Sequence, residues 1–344
     1  MENKIDVLET KYSSLIPTYN NALAKIETLI NDLLTLEKIQ IHAVQERVKS
    51  VESFLQKATS YENPFLEITD YIVLRIICYI PSDVERVCSL IEDNFCIDRK
   101  NSVNKTSSLG IDKVGYESIH FIAKLNSVRS GLPEFSFMKD FCFEIQIRTL
   151  LQHTWAEIEH DKNYKFSGTL PDSIKRRFNI LSGTLELIDR EFDNLSSEID
   201  HYKKQVKQNL KDKKYDIEIT TESLIEYFTE KKEFDLLTKK SLDVFTKFSS
   251  EIIQEMSDFG IKTLKDFIEL ENSISKESLL FRKEGNTIPG YVRNCMILND
   301  ANKYFAKSWK MHWTEADEYL KQYLSTQGIN FYALVRKKNK RGRL

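Results

Sequence analysis

Residues 141–161 read FCFEIQIRTLLQHTWAEIEHD. The first half alternates. Phe141, Phe143, Ile145 and Ile147 fall on one side of an extended chain, and Cys142, Glu144, Gln146 and Arg148 on the other. This pattern predicts a half-buried strand. Its wet face carries a carboxylate, an amide and a guanidinium side by side, groups that are costly to desolvate without partners. A ligand, a metal ion or ion pairs should meet them. The strand runs straight into a helix on which His153, Glu157 and His160 stand at i, i+4 and i+7, one stripe. Glu-x-x-His spacing occurs in carboxylate-bridged metal bundles. The sequence has no second copy of it and no HExxH, so the stripe is better taken as a polar wall lining a cleft.

Outward from this segment, TDYIVLRIICYI (69–80) is rich in branched apolar residues between Pro64 and Pro81 and predicts a buried strand. PSDVERVCSLIEDNF then predicts a helix, with Ser82 as N-cap and Glu85 at the capping-box position. Residues 97–114 form a polar loop, long enough to suggest a functional role. ESIHFIAKL (117–125) predicts a further strand. Residues 5–60 look helical, broken at Pro17, with a second helix over about 38–58. A long helix follows Pro171 and ends near the lysine-rich KQNLKDKKYD. The expected organisation is an N-terminal helical segment (1–37), a domain over 38–215, and a mainly helical region with a basic tail over 216–344. The fold class is α+β, a mixed sheet flanked by helices.

Composition bounds the rest. The 344 residues are 41% hydrophobic and 11% aromatic, enough for a real core, and the formal net charge is −2. RKKNKRGRL closes the chain; a solvated tail is the ordinary meaning of such a run, a phosphate- or RNA-contacting tail the sharper one. Five cysteines without a CxxC pair suggest reduced thiols in a cytoplasmic protein. MENKIDVLETKYSS has no apolar core of a signal peptide, and no apolar run approaches membrane-spanning length.

Several residues could carry chemistry. Arg47, Lys49 and Lys57 lie on the expected helix, Arg47 and Lys57 on roughly one side and Lys49 well away from Lys57. Asp70 opens a strand, a position suited to Mg²⁺ but also to a simple turn. DKVGYESIH offers Lys113, Tyr116 as a stacking platform for a base, and Ser118 and His120 in register. There is no G-x-G-x-x-G, P-loop or G-x-S-x-G, so phosphates, if bound, must be held by side chains and an ion.

Together these segments resemble the RelA/SpoT synthetase domain, the (p)ppGpp alarmone synthetase family, over about residues 38–166. RVKSVESFLQK, ITDYIVLRIICYIPSDVERV, KVGYESIHFIAKL and FEIQIRTLLQHTWAEIEHDKNYK stand in the family's order. The last is close to the pattern of the small, synthetase-only members. The resemblance implies a nucleotidyltransferase-like domain that transfers the β,γ-pyrophosphoryl group of ATP to the ribose 3′-OH of GTP or GDP. It implies that Arg47, Lys49 and Lys57 hold the ATP phosphates, with Arg75 near the ATP side. Asp70 would hold Mg²⁺, with Glu144 as second ligand or as base on the acceptor hydroxyl. Tyr116 would stack on guanine, and Lys113, His120, Gln146 and Arg148 would line the acceptor pocket. Two departures stand out: Val73 where the family often has glycine, and DKV before Gly115. The only His-Asp pair is His160–Asp161, inside the synthetase pattern, so no hydrolase activity is expected. Toxic relatives that pyrophosphorylate the 3′ end of tRNA, or make an adenosine alarmone, are the alternative, given the extra C-terminal region. Family members are often tetramers, so a homo-oligomer is a further expectation.

Overall fold

The computed structural model describes residues 2–104, 118–165, 171–231, 239–274, 287–310, 318–333 and 336. Two compact units divide the chain, Met1–Ser197 and Glu198–Leu344. The division falls inside a helix, upstream of the lysine-rich stretch expected to mark it.

The first unit is a mixed sheet with helices. Strands β1 (Ile41–Val48), β2 (Ile72–Cys78), β3 (Phe95–Ile97), β4 (Val103–Asn104), β5 (Ile119–Leu125) and β6 (Phe143–Thr149) take the order β1-β2-β6-β5-β3, with β4 also on β5. β2 and β6 are parallel; β1–β2, β5–β6 and β3–β5 are antiparallel. Its longer helices are α1 (Glu2–Leu36), α2 (Val51–Ala58), α3 (Pro81–Asn94) and α4 (Leu150–Lys165), and α5 (Asp172–Lys211) begins in it and runs past Ser197. Ile72, Leu74 and Ile76 of β2 and Phe143, Ile145 and Ile147 of β6 are fully buried in one core with Tyr12, Ile26 and Ile30 of α1 and Val87 and Ile91 of α3. Each such side chain stabilises by roughly 1.5–3 kcal/mol. The segment before residue 38 therefore belongs to this unit's core.

Three local expectations are corrected. Pro17 lies within α1 and does not end it. The helix expected over 38–58 is a strand followed by a short helix. Val44 and Val48 imitate helical spacing, but pairing of Ile41–Val48 along the edge of β2 decides the conformation. The N-cap of α3 is Ile80 with Pro81 in the first turn; the Ser82 N–H is instead met by Asp193 Oδ1 at 3.0 Å.

The strand-to-helix junction opens on a capping box. Thr149 Oγ1 accepts from Gln152 N (3.1 Å), and Gln152 Oε1 accepts from Thr149 N (2.8 Å). β6 can thus turn into α4 with no loop between.

The second unit is helical among its described residues: α6 (Thr221–Glu230), α7 (Lys239–Phe259), α8 (Leu264–Asn272), α9 (Ile288–Lys303) and α10 (Glu318–Thr326). Its core includes Phe228, Phe245, Ile252, Phe267, Val292 and Trp309. No helix among the described residues is long and apolar enough to cross a membrane.

Candidate active site

The polar residues of β6 lie on the sheet face opposite Phe143, Ile145 and Ile147. Register aligns Gln45, Arg75, Gln146 and His120 across β1, β2, β6 and β5, and beside that row Arg47, Val73, Glu144 and Ile122. Four chain segments thus deliver polar groups to one floor. Val73, the departure from the family's glycine, stands between Arg47 and Glu144 in that register.

At one end, Asp70 precedes β2. Lys49 Nζ donates to its Oδ2 at 2.7 Å, and Lys57 Nζ stands 3.1 Å from Oδ1. Lys49 lies in the β1–α2 connection and Lys57 in the last turn of α2, so the separation expected on one helical wheel does not apply. Tyr12 supports this corner: its ring stacks on Phe54 at 4.1 Å and its hydroxyl donates to the Lys49 carbonyl at 2.8 Å. Burial pushes the Asp70 carboxyl up, but the Lys49 hydrogen bond and the charges of Lys49 and Lys57 outweigh it and hold the group below the ordinary carboxylate range.

At the other end, Glu144 Oε1 is met by His120 Nδ1 at 2.7 Å and by Gln146 Nε2 at 2.9 Å. The Ser118 hydroxyl meets His120 Nε2, and Arg75 Nε donates to Gln146 Oε1 at 3.0 Å. Burial again raises the Glu144 carboxyl and the charge of Asp70 adds to this, but His120 and Gln146 pull it below its ordinary value. Both carboxylates are therefore ionised at neutral pH, and the charge of Asp70 reaches Glu144.

The α4 wall is anchored by Glu157. Its Oε1 takes Arg75 Nη1 at 3.3 Å and Arg148 Nη2 at 3.4 Å, with His153 Nδ1 3.8 Å away. Burial and the nearby charge of Arg75 push the Arg148 guanidinium down to about 10, still protonated at neutral pH. Burial and the charge of Arg148 lower His153. His160 is exposed farther along the helix. Arg47 is exposed on β1. Lys113 and Tyr116 lie outside the described residues. Sequence reasoning missed Tyr12, and it missed Thr149, whose hydroxyl donates to the buried Asp189 at 2.6 Å and ties α5 to the strand end beside Arg148. The T-x-x-Q spacing at 149–152 was the available signal for Thr149.

Asp70 and Glu144 suit a hard divalent cation. Asp70 Oδ1 is buried and makes no hydrogen bond, its one protein partner being the ion pair to Lys57 at 3.1 Å. Two carboxylates among cations give the sparse oxygen set with which Mg²⁺ is held together with phosphate oxygens.

The site is a floor of paired carboxylates and cations on a mixed sheet, a charge pattern suited to polyanions. A family model described as the region found in RelA / SpoT proteins matches residues 46–169. The chain is 31% identical to the GTP pyrophosphokinase YjbM of Bacillus subtilis over 196 residues, covering 54% of this chain and 88% of that protein. It is 25% identical to the GTP pyrophosphokinase YwaC of the same organism over 205 residues, covering 57% and 87%. Among solved structures, small alarmone synthetase 1 from B. subtilis aligns with a TM-score of 0.47 at 27% identity, over 56% of this chain and 98% of that one. The chain belongs to the RelA/SpoT family.

Proposed function

We propose that this protein is an ATP-dependent pyrophosphokinase that transfers the β,γ-pyrophosphoryl group of ATP to the ribose 3′-OH of GTP or GDP, making (p)ppGpp. The observation that supports this most is the pair of ionised carboxylates, Asp70 and Glu144, held beside Lys49, Lys57, Arg75 and Arg148 on one sheet face. In the reaction the bond from the β-phosphorus to the oxygen bridging toward the α-phosphate breaks. A bond from O3′ to the β-phosphorus forms, and AMP leaves with the electron pair.

Such a transfer needs alignment and charge neutralisation more than covalent help. Lys49, Lys57 and Arg47 would hold the triphosphate, and Arg75 and Arg148, braced by Glu157, would fix the nucleotides. Asp70 and Glu144 would hold Mg²⁺, which would supply charge neutralisation to the phosphates. Glu144, held below its ordinary value, is a weak base. In a loose transition state the hydroxyl proton leaves late, so an accepting oxygen oriented by His120 and Gln146 is enough. Tyr116 and Lys113 remain assigned to the guanine side by family resemblance.

The test is incubation of the full chain with labelled ATP and Mg²⁺ plus GDP, GTP, AMP or deacylated tRNA. Label is expected on GDP and GTP. Label on tRNA alone, or on AMP alone, would replace this reading with that of a toxic relative.

A further inference from the structure

Two carboxylates of α5 reach the end of the sheet, and the proposed transfer uses neither. β2 and β6 are parallel and stop level with each other, Cys78 pairing with Thr149. α3 follows β2 and α4 follows β6, so both helices start at the same end of the sheet. On α5, Asp189 and Asp193 stand about one turn apart, and each reaches one of these helix starts. Asp193 Oδ1 accepts from the Ser82 N–H in the first turn of α3 at 3.0 Å; Ile80, the N-cap of that helix, makes no side-chain capping bond. Asp189, 3% exposed, accepts from Thr149 Oγ1 at 2.6 Å, beside the start of α4. Negative charge at a helix start also meets the favourable end of its dipole.

The Thr149 contact has a direction. A hydroxyl has one proton to give. Asp189 takes it, which leaves the oxygen lone pairs to accept from Gln152 N at 3.1 Å. Without that acceptor the hydroxyl can turn and release the first turn of α4. Helix α4 carries Glu157, whose Oε1 meets both Arg75 and Arg148. Arg148 is itself the residue before Thr149, and it is 6% exposed. Packing alone does not call for a carboxylate at 189: desolvating one is costly, and an apolar pair at 149 and 189 would fill the space without that cost. We propose that Asp189 is a positioning residue for nucleotide binding. Through the Thr149 hydroxyl it sets the start of α4, and through Glu157 it sets the two arginines. The proposal rests on the reading of this floor as a nucleotide site, and it extends that site to a helix outside the segment that the RelA / SpoT model matches.

The test is the affinity of the full chain for an ATP analogue with a methylene group between its α- and β-phosphates, measured by calorimetry without any acceptor. Asp189→Ala and Thr149→Val break the same contact from opposite sides, and each should weaken binding roughly tenfold. Combining Thr149→Val with Asp189→Leu removes both partners, which spares the fold an unpaired buried charge; it should show the same loss and no more. Asp189→Asn keeps an oxygen for the Thr149 hydroxyl and should stay within roughly threefold of the parent. In a Glu157→Ala background the arginines have already lost their brace, so adding Asp189→Ala should change affinity less than about twofold. Parent-like affinity in the combined Thr149→Val and Asp189→Leu variant overturns the proposal. So does a full further loss from Asp189→Ala in the Glu157→Ala background, the result expected of a residue that only stabilises the fold. Because no acceptor is present, transfer of label to tRNA or AMP alone would unseat the acceptor assigned to this site without altering these affinities. A parent chain that does not bind the analogue overturns both.

Discussion

Both units bury carboxylates beside cations, and they finish them differently. In the helical unit, Glu255 is fully buried; Arg293 grips it from Nε and Nη2 at 2.9 and 2.8 Å, and Tyr304 donates to it at 2.8 Å. Glu271 accepts from Tyr227 and Tyr291, each at 2.6 Å, and pairs with Lys231. Every oxygen of these two groups is occupied from within the unit. In the sheet unit, Asp70 Oδ1 makes no hydrogen bond and has only the part-exposed Lys57 as an ion-pair partner, and both protein contacts to Glu144 fall on the same oxygen. A completed set of charges specifies packing. A set left open toward a cleft leaves capacity for a substrate.

The largest test of this contrast is Arg293→Ala. It strands Glu255 as an unpaired buried charge and should cost about 3–5 kcal/mol of stability in denaturant unfolding of the full chain. On the site side, Glu144→Gln should lower transfer at least about a hundredfold while ATP binding and the unfolding midpoint stay near those of the parent. Near-normal turnover would remove Glu144 from the reaction. Tyr227→Phe, which deletes one of the bonds to buried Glu271, should cost about 1–3 kcal/mol, read from the same unfolding curves. Lys57→Ala should cost less than about 1 kcal/mol, because Lys57 is 38% exposed and its loss admits water to Asp70. A cost equal to that of Arg293→Ala would make the Asp70 cluster structural. The smallest effect is pH-dependent. Asp70 titrates lower in the folded chain than its unfolded value of about 3.9, so its stabilising contribution is complete above that value and fades as pH falls through the folded one. The stability difference between the parent and Asp70→Asn should stay flat near neutrality and close only in acid; closure near neutral pH would contradict the assignment.

What the sequence disclosed depended on range. The alternation of Phe143, Glu144, Ile145, Gln146 and Ile147 is local, and the strand and its two faces follow from it. The T-x-x-Q box that starts α4 is equally local, but the sequence reading passed over it. The strand at Ile41–Val48 is different: its apolar residues do not alternate cleanly, and pairing with β2 settles it. Lys49 and Lys57 could meet on Asp70 only once that strand replaced the helix. The role of Glu157 depends on Arg75, which lies 82 positions away, so its stripe on the helix said only that a polar wall was present.

The parallel pairing of β2 and β6 carries one more consequence. Arg75 and Gln146, bonded across it, are 71 residues apart in the chain, and Asp70 and Glu144 sit at the starts of the same two strands. Closing a loop of that length is slow and is rewarded only when the pairing is complete. No partly folded chain that has formed its helices and the β1–β2 hairpin alone has both carboxylates in place. During refolding, catalysis should therefore return with the last long-range step rather than with the early gain of helix, which makes enzymatic recovery a clock for the formation of the central sheet.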